Sequence, residues 1–177
     1  KKLKKIIKIL AVVFGVLITI FAIFRFSPYK DLDSFLKRQN STRFYDNENK
    51  LIYVLPLEQG LYREYYTLNE IPQELQKIFL IAEDKNFYFH PGFNIASIFR
   101  ATKQNIQQNK IVSGASTITM QLARIITPRQ SKTKITIFTK AKELLNAIRI
   151  ETRLSKNKIL ELYLNSLPFG NQIEGIG

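Results

Sequence analysis

The chain has 177 residues, 45% of them hydrophobic, no cysteine and a formal charge of +13. That length suits one globular domain with an appendage rather than two full domains, and the lack of cysteine excludes disulfides and thiol chemistry. The basic excess calls for an anionic partner: nucleic acid, anionic lipid or a phosphorylated substrate.

Lys1, Lys2, Lys4, Lys5 and Lys8 precede an uncharged run from Ile9 to Phe24, closed by Arg25. The run holds 16 residues, or 19 counted from Ile6 with Lys8 drawn to the interface, close to the ~20 that a bilayer core requires. It is apolar on every face, which predicts a cytoplasmic basic tail over 1–8 and a transmembrane anchor over 9–25, with the rest of the chain outside. No small-x-small cleavage pattern follows, as a signal peptide would need. Residues 26–41 turn polar, as a juxtamembrane connector would. Two short strands are expected around a turn at Asp46 to Asn49.

Pro72 opens a helix whose apolar positions Leu75, Ile78, Phe79 and Ala82 recur at helical spacing. Leu80 and Ile81 make its far side apolar too, so burial nearly all round is expected. It ends on Glu83 and Asp84. A carboxylate at the end of a buried helix is desolvated, which tunes it for proton transfer; pairing with a lysine such as Lys85 is the bland alternative. His90, the only histidine, has no ligand-spaced partner and reads as structural rather than metal-binding.

Asn94 is placed to cap a basic amphipathic helix carrying Ile95, Ile98, Phe99 and Ile106 on its apolar face, which either packs on the core or lies on a membrane surface. A turn at Gly114, Ala115 and Ser116 then leads into a helix and leaves backbone N–H groups for an anion. On that helix Ile118, Leu122 and Ile125 are expected to pack inward, and Thr117, Gln121 and Arg124 share a polar face. A polar loop follows over 127–136. The next helix has an apolar stripe of Ile137, Phe138, Ala141, Leu144, Leu145 and Ile148. Its reverse face holds Lys140, Glu143, Ala147 and Ile150, so Lys140 and Glu143 form either a partly shielded site or a surface salt bridge. Ser155 caps a last helix, and a Pro/Gly-rich turn closes the chain.

Taken together these segments resemble the peptidoglycan glycosyltransferase domain, glycosyltransferase family 51, of class A penicillin-binding proteins and monofunctional glycosyltransferases. The resemblance is carried in order by EDKNFYFHPG (83–92), GASTITMQ (114–121), KAKE (140–143) with Glu151 beyond it, and ILELYLN with its Gly-rich continuation (159–177). TMQLAR, HPGFN and LPFGNQIEG look most like the 1C-type branch. Many members have Gln where Met120 stands and Arg where Thr139 stands.

The resemblance implies a mainly α, lysozyme-like domain over 42–177, with a small β-hairpin region and further helices beyond its C-terminal end. It implies that the chain polymerises lipid II into β-1,4-linked glycan, with Glu83 as the base on the acceptor hydroxyl and Glu143 assisting at the diphosphate. Asp84, Ser116, Thr117, Gln121, Arg124, Lys140 and Lys142 become substrate or diphosphate contacts. No cofactor is obligatory, although a divalent cation (Mg or Mn) at Glu143 is compatible with the pattern. The implied partners are lipid II, the growing glycan strand, membrane lipids and cell-wall synthesis proteins, not nucleic acid. Two alternatives stay open: a lytic muramidase that cleaves glycan, and an inactive membrane-anchored scaffold.

Overall fold

The computed structural model describes residues 2–108, 116–128 and 136–176. Lys1 of the basic tail, Gly114 and Ala115 of the expected anion turn, most of the loop over 127–136, and the side chains of Ile98, Ile106 and Ile137 lie outside the described residues. Within them the order is α1 (Lys2–Phe26), α2 (Lys30–Leu36), β1 (Thr42–Tyr45), β2 (Leu51–Leu55), β3 (Tyr62–Arg63), α3 (Gln73–Glu83), α4 (Ile95–Gln107), α5 (Ile118–Ile126), α6 (Ile137–Glu151), α7 (Lys156–Leu164), β4 (Pro168–Gly170) and β5 (Ile173–Glu174). The architecture is mainly α, as expected, with two small sheets where one hairpin region was expected.

The core forms where α5 packs against α6 and α7. Ile118 and Leu122 of α5, Ala147 and Ile150 of α6, and Ile159, Leu160 and Leu164 of α7 are fully enclosed. Each large aliphatic side chain among them contributes about 2 kcal/mol on burial. The starts of α4 and α7 are capped as read from the sequence: Asn94 Oδ1 accepts from the Ser97 N–H at 3.1 Å and Ser155 Oγ from the Lys158 N–H at 3.3 Å.

β1 and β2 pair antiparallel around the expected turn, where Asp46 accepts from the Glu48 and Lys50 N–H groups. The final Pro/Gly segment is a hairpin rather than a simple turn. β4 and β5 are antiparallel, and β5 also runs parallel to β3. Glu174 holds this junction by accepting from Arg38 and, at 2.8 Å, from Arg63.

Two other expectations, on α3 and α6, are corrected, and the structure adds detail to the connector and to α4. The polar stretch expected as a connector contains α2, and it sends Tyr29 and Leu32 into the core. α3 is not enclosed all round: Leu75, Phe79 and Leu80 pack on the core, while Ile78 and Ile81 are more than 60% exposed. One helix on the edge of a core can bury one stripe only, whatever its composition. On α4, Ile95 and Phe99 are exposed, so those members of the apolar face are not covered by the core. On α6 the reverse face is the buried one. Glu143, Asn146, Ala147 and Ile150 point inward, and Phe138 is 80% exposed. The small Ala147 explains the choice, because it brings the α6 backbone close to Gly92.

α1 buries nothing within the chain, and is long and apolar enough to cross a membrane. At its end two α6-side arginines grip the chain: Arg149 donates to the Pro28 carbonyl at 2.7 Å, and Arg153 donates to the Ser27 carbonyl. Both guanidinium groups also lie over the Tyr29 ring. Cations suit this position because a helix C-terminus carries partial negative charge.

Candidate active site

The site is built on the loop that follows α3. Glu83 is the last residue of α3, and the next residue, Asp84, leaves the helix with φ −159° and ψ 78°. Successive helical positions are about 100° apart, so the two carboxylates diverge: Glu83 is exposed and Asp84 is buried. The burial expected for Glu83 therefore falls on its neighbour.

Asp84 is a structural tie. Its two oxygens lie 3.0 and 2.9 Å from His90 Nε2, and Oδ2 accepts the Ile118 N–H of α5 at 3.2 Å. This joins the end of α3, the His90 loop and the start of α5, and gives His90 the architectural role expected of it. Thr117 does the same from the other side. It is 2% exposed, accepts from the Met120 N–H at 3.1 Å and donates to the Gly92 carbonyl at 2.7 Å. Its hydroxyl is a helix cap and not part of the open polar face expected with Gln121 and Arg124. Lys156 completes the frame by donating to the His90 carbonyl at 2.6 Å and to Glu151 at 2.7 Å, and Glu151 also accepts from Thr119.

Beside this frame lies a cleft of about 460 Å³, lined among others by Glu83, Lys85, Asn86, Arg100 and Ser116. Glu83 Oε2 accepts from Gln121 Nε2 at 2.7 Å, so the carboxylate is held by Gln121 and not by the neighbouring Lys85. Ser116 leads to the second carboxylate. Lys140 Nζ donates to Ser116 Oγ at 3.1 Å and to Glu143 Oε2 at 2.9 Å. The Glu143 side chain is only 8% exposed and that of Lys140 is 37% exposed, so the pair is partly shielded, at its carboxylate end. α6 starts here on a reciprocal cap between Thr136 and Thr139, which gives Thr139 a structural task.

Gln121 is engaged at both ends of its amide, since its Oε1 accepts from the Tyr163 hydroxyl at 3.2 Å. Burial and the nearby Glu83 charge push Tyr163 up to about 12, against a downward pull from Arg124. Arg124 and Lys142 are exposed. Two participants escape the sequence reading: Arg100, which brings a further cation to the cleft from α4, and Tyr163. The polar spacing of Ser97, Arg100 and Gln104, all on the cleft wall, is a readable signal for the first. Among the described residues no three His, Cys, Asp or Glu side chains converge to hold a metal ion. A divalent cation at Glu143 would have to share that carboxylate with the Lys140 ammonium.

A family model described as Transglycosylase matches residues 48–177. The chain is 37% identical over 150 residues to penicillin-binding protein 4 of Bacillus subtilis (strain 168), covering 83% of this chain and 23% of that protein. It is 43% identical over 114 residues to penicillin-binding protein 1F of the same organism, covering 64% and 16%. Penicillin-binding protein 1C of Escherichia coli (strain K12) is 37% identical over 118 residues, covering 67% and 15%. The chain thus spans less than a quarter of the length of these relatives. Proteins of the 4, 1F, 1C and 1A types all match, so the 1C-type branch is not singled out. The chain belongs to the Transglycosylase family.

Proposed function

We propose that this chain is the glycan-polymerising part of a membrane-anchored peptidoglycan glycosyltransferase acting on lipid II. One observation carries the reading: an exposed carboxylate, Glu83, shares a polar cleft with Ser116, which accepts from Lys140, itself paired with the buried Glu143. Inverting transfer at an anomeric carbon needs those two features, a base for the incoming hydroxyl and positive charge for the departing diphosphate.

In this scheme the Glu83 carboxylate takes the proton of the acceptor 4-hydroxyl as that oxygen bonds to the donor anomeric carbon. The bond from that carbon to the diphosphate breaks, and the diphosphate leaves with the electron pair. Lys140 neutralises it, with Arg124 and Lys142 supplying further positive charge from their exposed positions. Glu143 holds the Lys140 ammonium in place. Asp84 and Thr117 contribute by shaping the cleft. α1 crosses the bilayer with the lysines inside, which sets the cleft over the leaflet that carries the lipid-linked substrate.

The test is lipid II polymerisation by the full-length protein. Glu83→Gln is expected to lower kcat by about 10²–10⁴-fold, the usual worth of a general base. Glu143→Gln is expected to raise the requirement for substrate as well as slow turnover. Wild-type polymerisation by Glu83→Gln would overturn the assignment of the base. Cleavage of preformed glycan without lipid II turnover would overturn the synthetic reading in favour of a lytic one.

A further inference from the structure

Gln121 stands between two groups: its Nε2 faces Glu83 and its Oε1 faces Tyr163. A carboxamide has a donor end and an acceptor end, and which end faces a given neighbour is decided by what the other end finds. Here the far end finds an O–H. Tyr163 is only 1% exposed, and its ring meets Phe79 edge-on at 6.4 Å between centroids. Phe79 lies on α3 one turn before Glu83, so Tyr163 touches both the helix that carries the carboxylate and the amide that binds it.

We propose that Tyr163 is a positioning residue: its hydroxyl holds the Gln121 amide with Nε2 toward Glu83, and so orients the carboxylate that acts as base. This rests on the reading of Glu83 given above. The plain alternative is that Tyr163 is a core aromatic whose hydroxyl needs any acceptor. Removing one oxygen separates the two. A phenylalanine fills the same space against Phe79. Without the hydroxyl, Gln121 Oε1 has lost its donor, so the amide is held at its Glu83 end alone and places the carboxylate less firmly. The phenol, pushed up to about 12, keeps its proton at every pH where the wild-type enzyme would be assayed.

The experiment uses the full-length protein and compares wild type, Tyr163→Phe, Gln121→Ala and the double variant. Tyr163→Phe is expected to lower kcat about 3–10-fold with KM changed by less than about twofold. In the Gln121→Ala background the same change should have no further effect, because the relay is already cut. A second readout needs no turnover: the Gln121 side-chain amide NMR signals should shift in Tyr163→Phe. An unchanged kcat in Tyr163→Phe, a Tyr163→Phe effect that persists in the Gln121→Ala background, or unchanged amide signals would overturn the proposal. Failure of the Glu83 reading is separate, and would appear as wild-type polymerisation by Glu83→Gln while the amide signals still responded to Tyr163→Phe.

Discussion

Asp84→Ala tests the frame on which the site stands. The carboxylate is buried and accepts from His90 Nε2 at 2.9–3.0 Å and from the Ile118 N–H at 3.2 Å. Removing it leaves two buried donors without their partner. A hydrogen bond with one charged member is worth about 1.5–3 kcal/mol, and a stranded buried donor adds its desolvation cost. Two such losses, discounted because the Ile118 contact is long, give about 3–4 kcal/mol. For a chain of this size that is a fall of roughly 10 °C in the unfolding midpoint. Asp84→Asn keeps the shape and one acceptor oxygen, so about half that loss is expected. Thermal unfolding of the detergent-solubilised full-length protein measures both. A midpoint for Asp84→Ala within about a degree of wild type would show that the tie between α3, the His90 loop and α5 holds nothing, and would refute the reasoning.

The same packed frame yields two more expected outcomes. Gly92 has φ of +89°, and a Cβ there would lie 3.0 Å from Glu151 Cγ and 3.3 Å from the Ala147 backbone; left-handed strain plus crowding should make Gly92→Ala less stable by about 2–3 kcal/mol in chemical unfolding. Burial works against ionisation of Glu161, but hydrogen bonds from Lys158, Tyr65 and the Leu68 N–H outweigh it and hold its carboxyl below the ordinary range. A depressed carboxylate contributes stability that is full above the unfolded value, ~4.3, and is lost as pH falls through the folded value. Glu161→Gln should therefore lower the unfolding midpoint near neutral pH and flatten its decline below about pH 4, as midpoints recorded from about pH 3 to 7 will show.

Signals in the sequence are legible where their cause is local. Asn94 and Ser155 cap the helices they precede, because a cap is decided within four residues. The turn at Asp46 closes β1 on β2 for the same reason. Faces are harder to read. Periodicity on α6 marks Phe138 and Leu145 as inward, yet the chain buries Glu143 and Asn146 beside Ala147. Periodicity records polarity but not partners, and the Lys140 ammonium across from Glu143 compensates its burial. The Tyr163, Gln121 and Glu83 relay is illegible because its links span 42 and 38 residues, and nothing in either segment points to the other.

The adjacent pair Glu83 and Asp84 shows why the site needs both kinds of information. A base must be reachable by its substrate and yet held still, and one side chain meets these demands poorly. Ending α3 between the two residues separates them. Asp84 turns inward and is bound to His90 and α5, which fixes the backbone; Glu83 stays on the cleft wall, with Gln121 at 2.7 Å to aim it. Moving the register of α3 by a single residue would turn both carboxylates by about 100° in the same sense and take Asp84 off its tie to His90 and α5. The register of α3 against the Asp84 tie is therefore as much a part of the candidate site as the carboxylate itself.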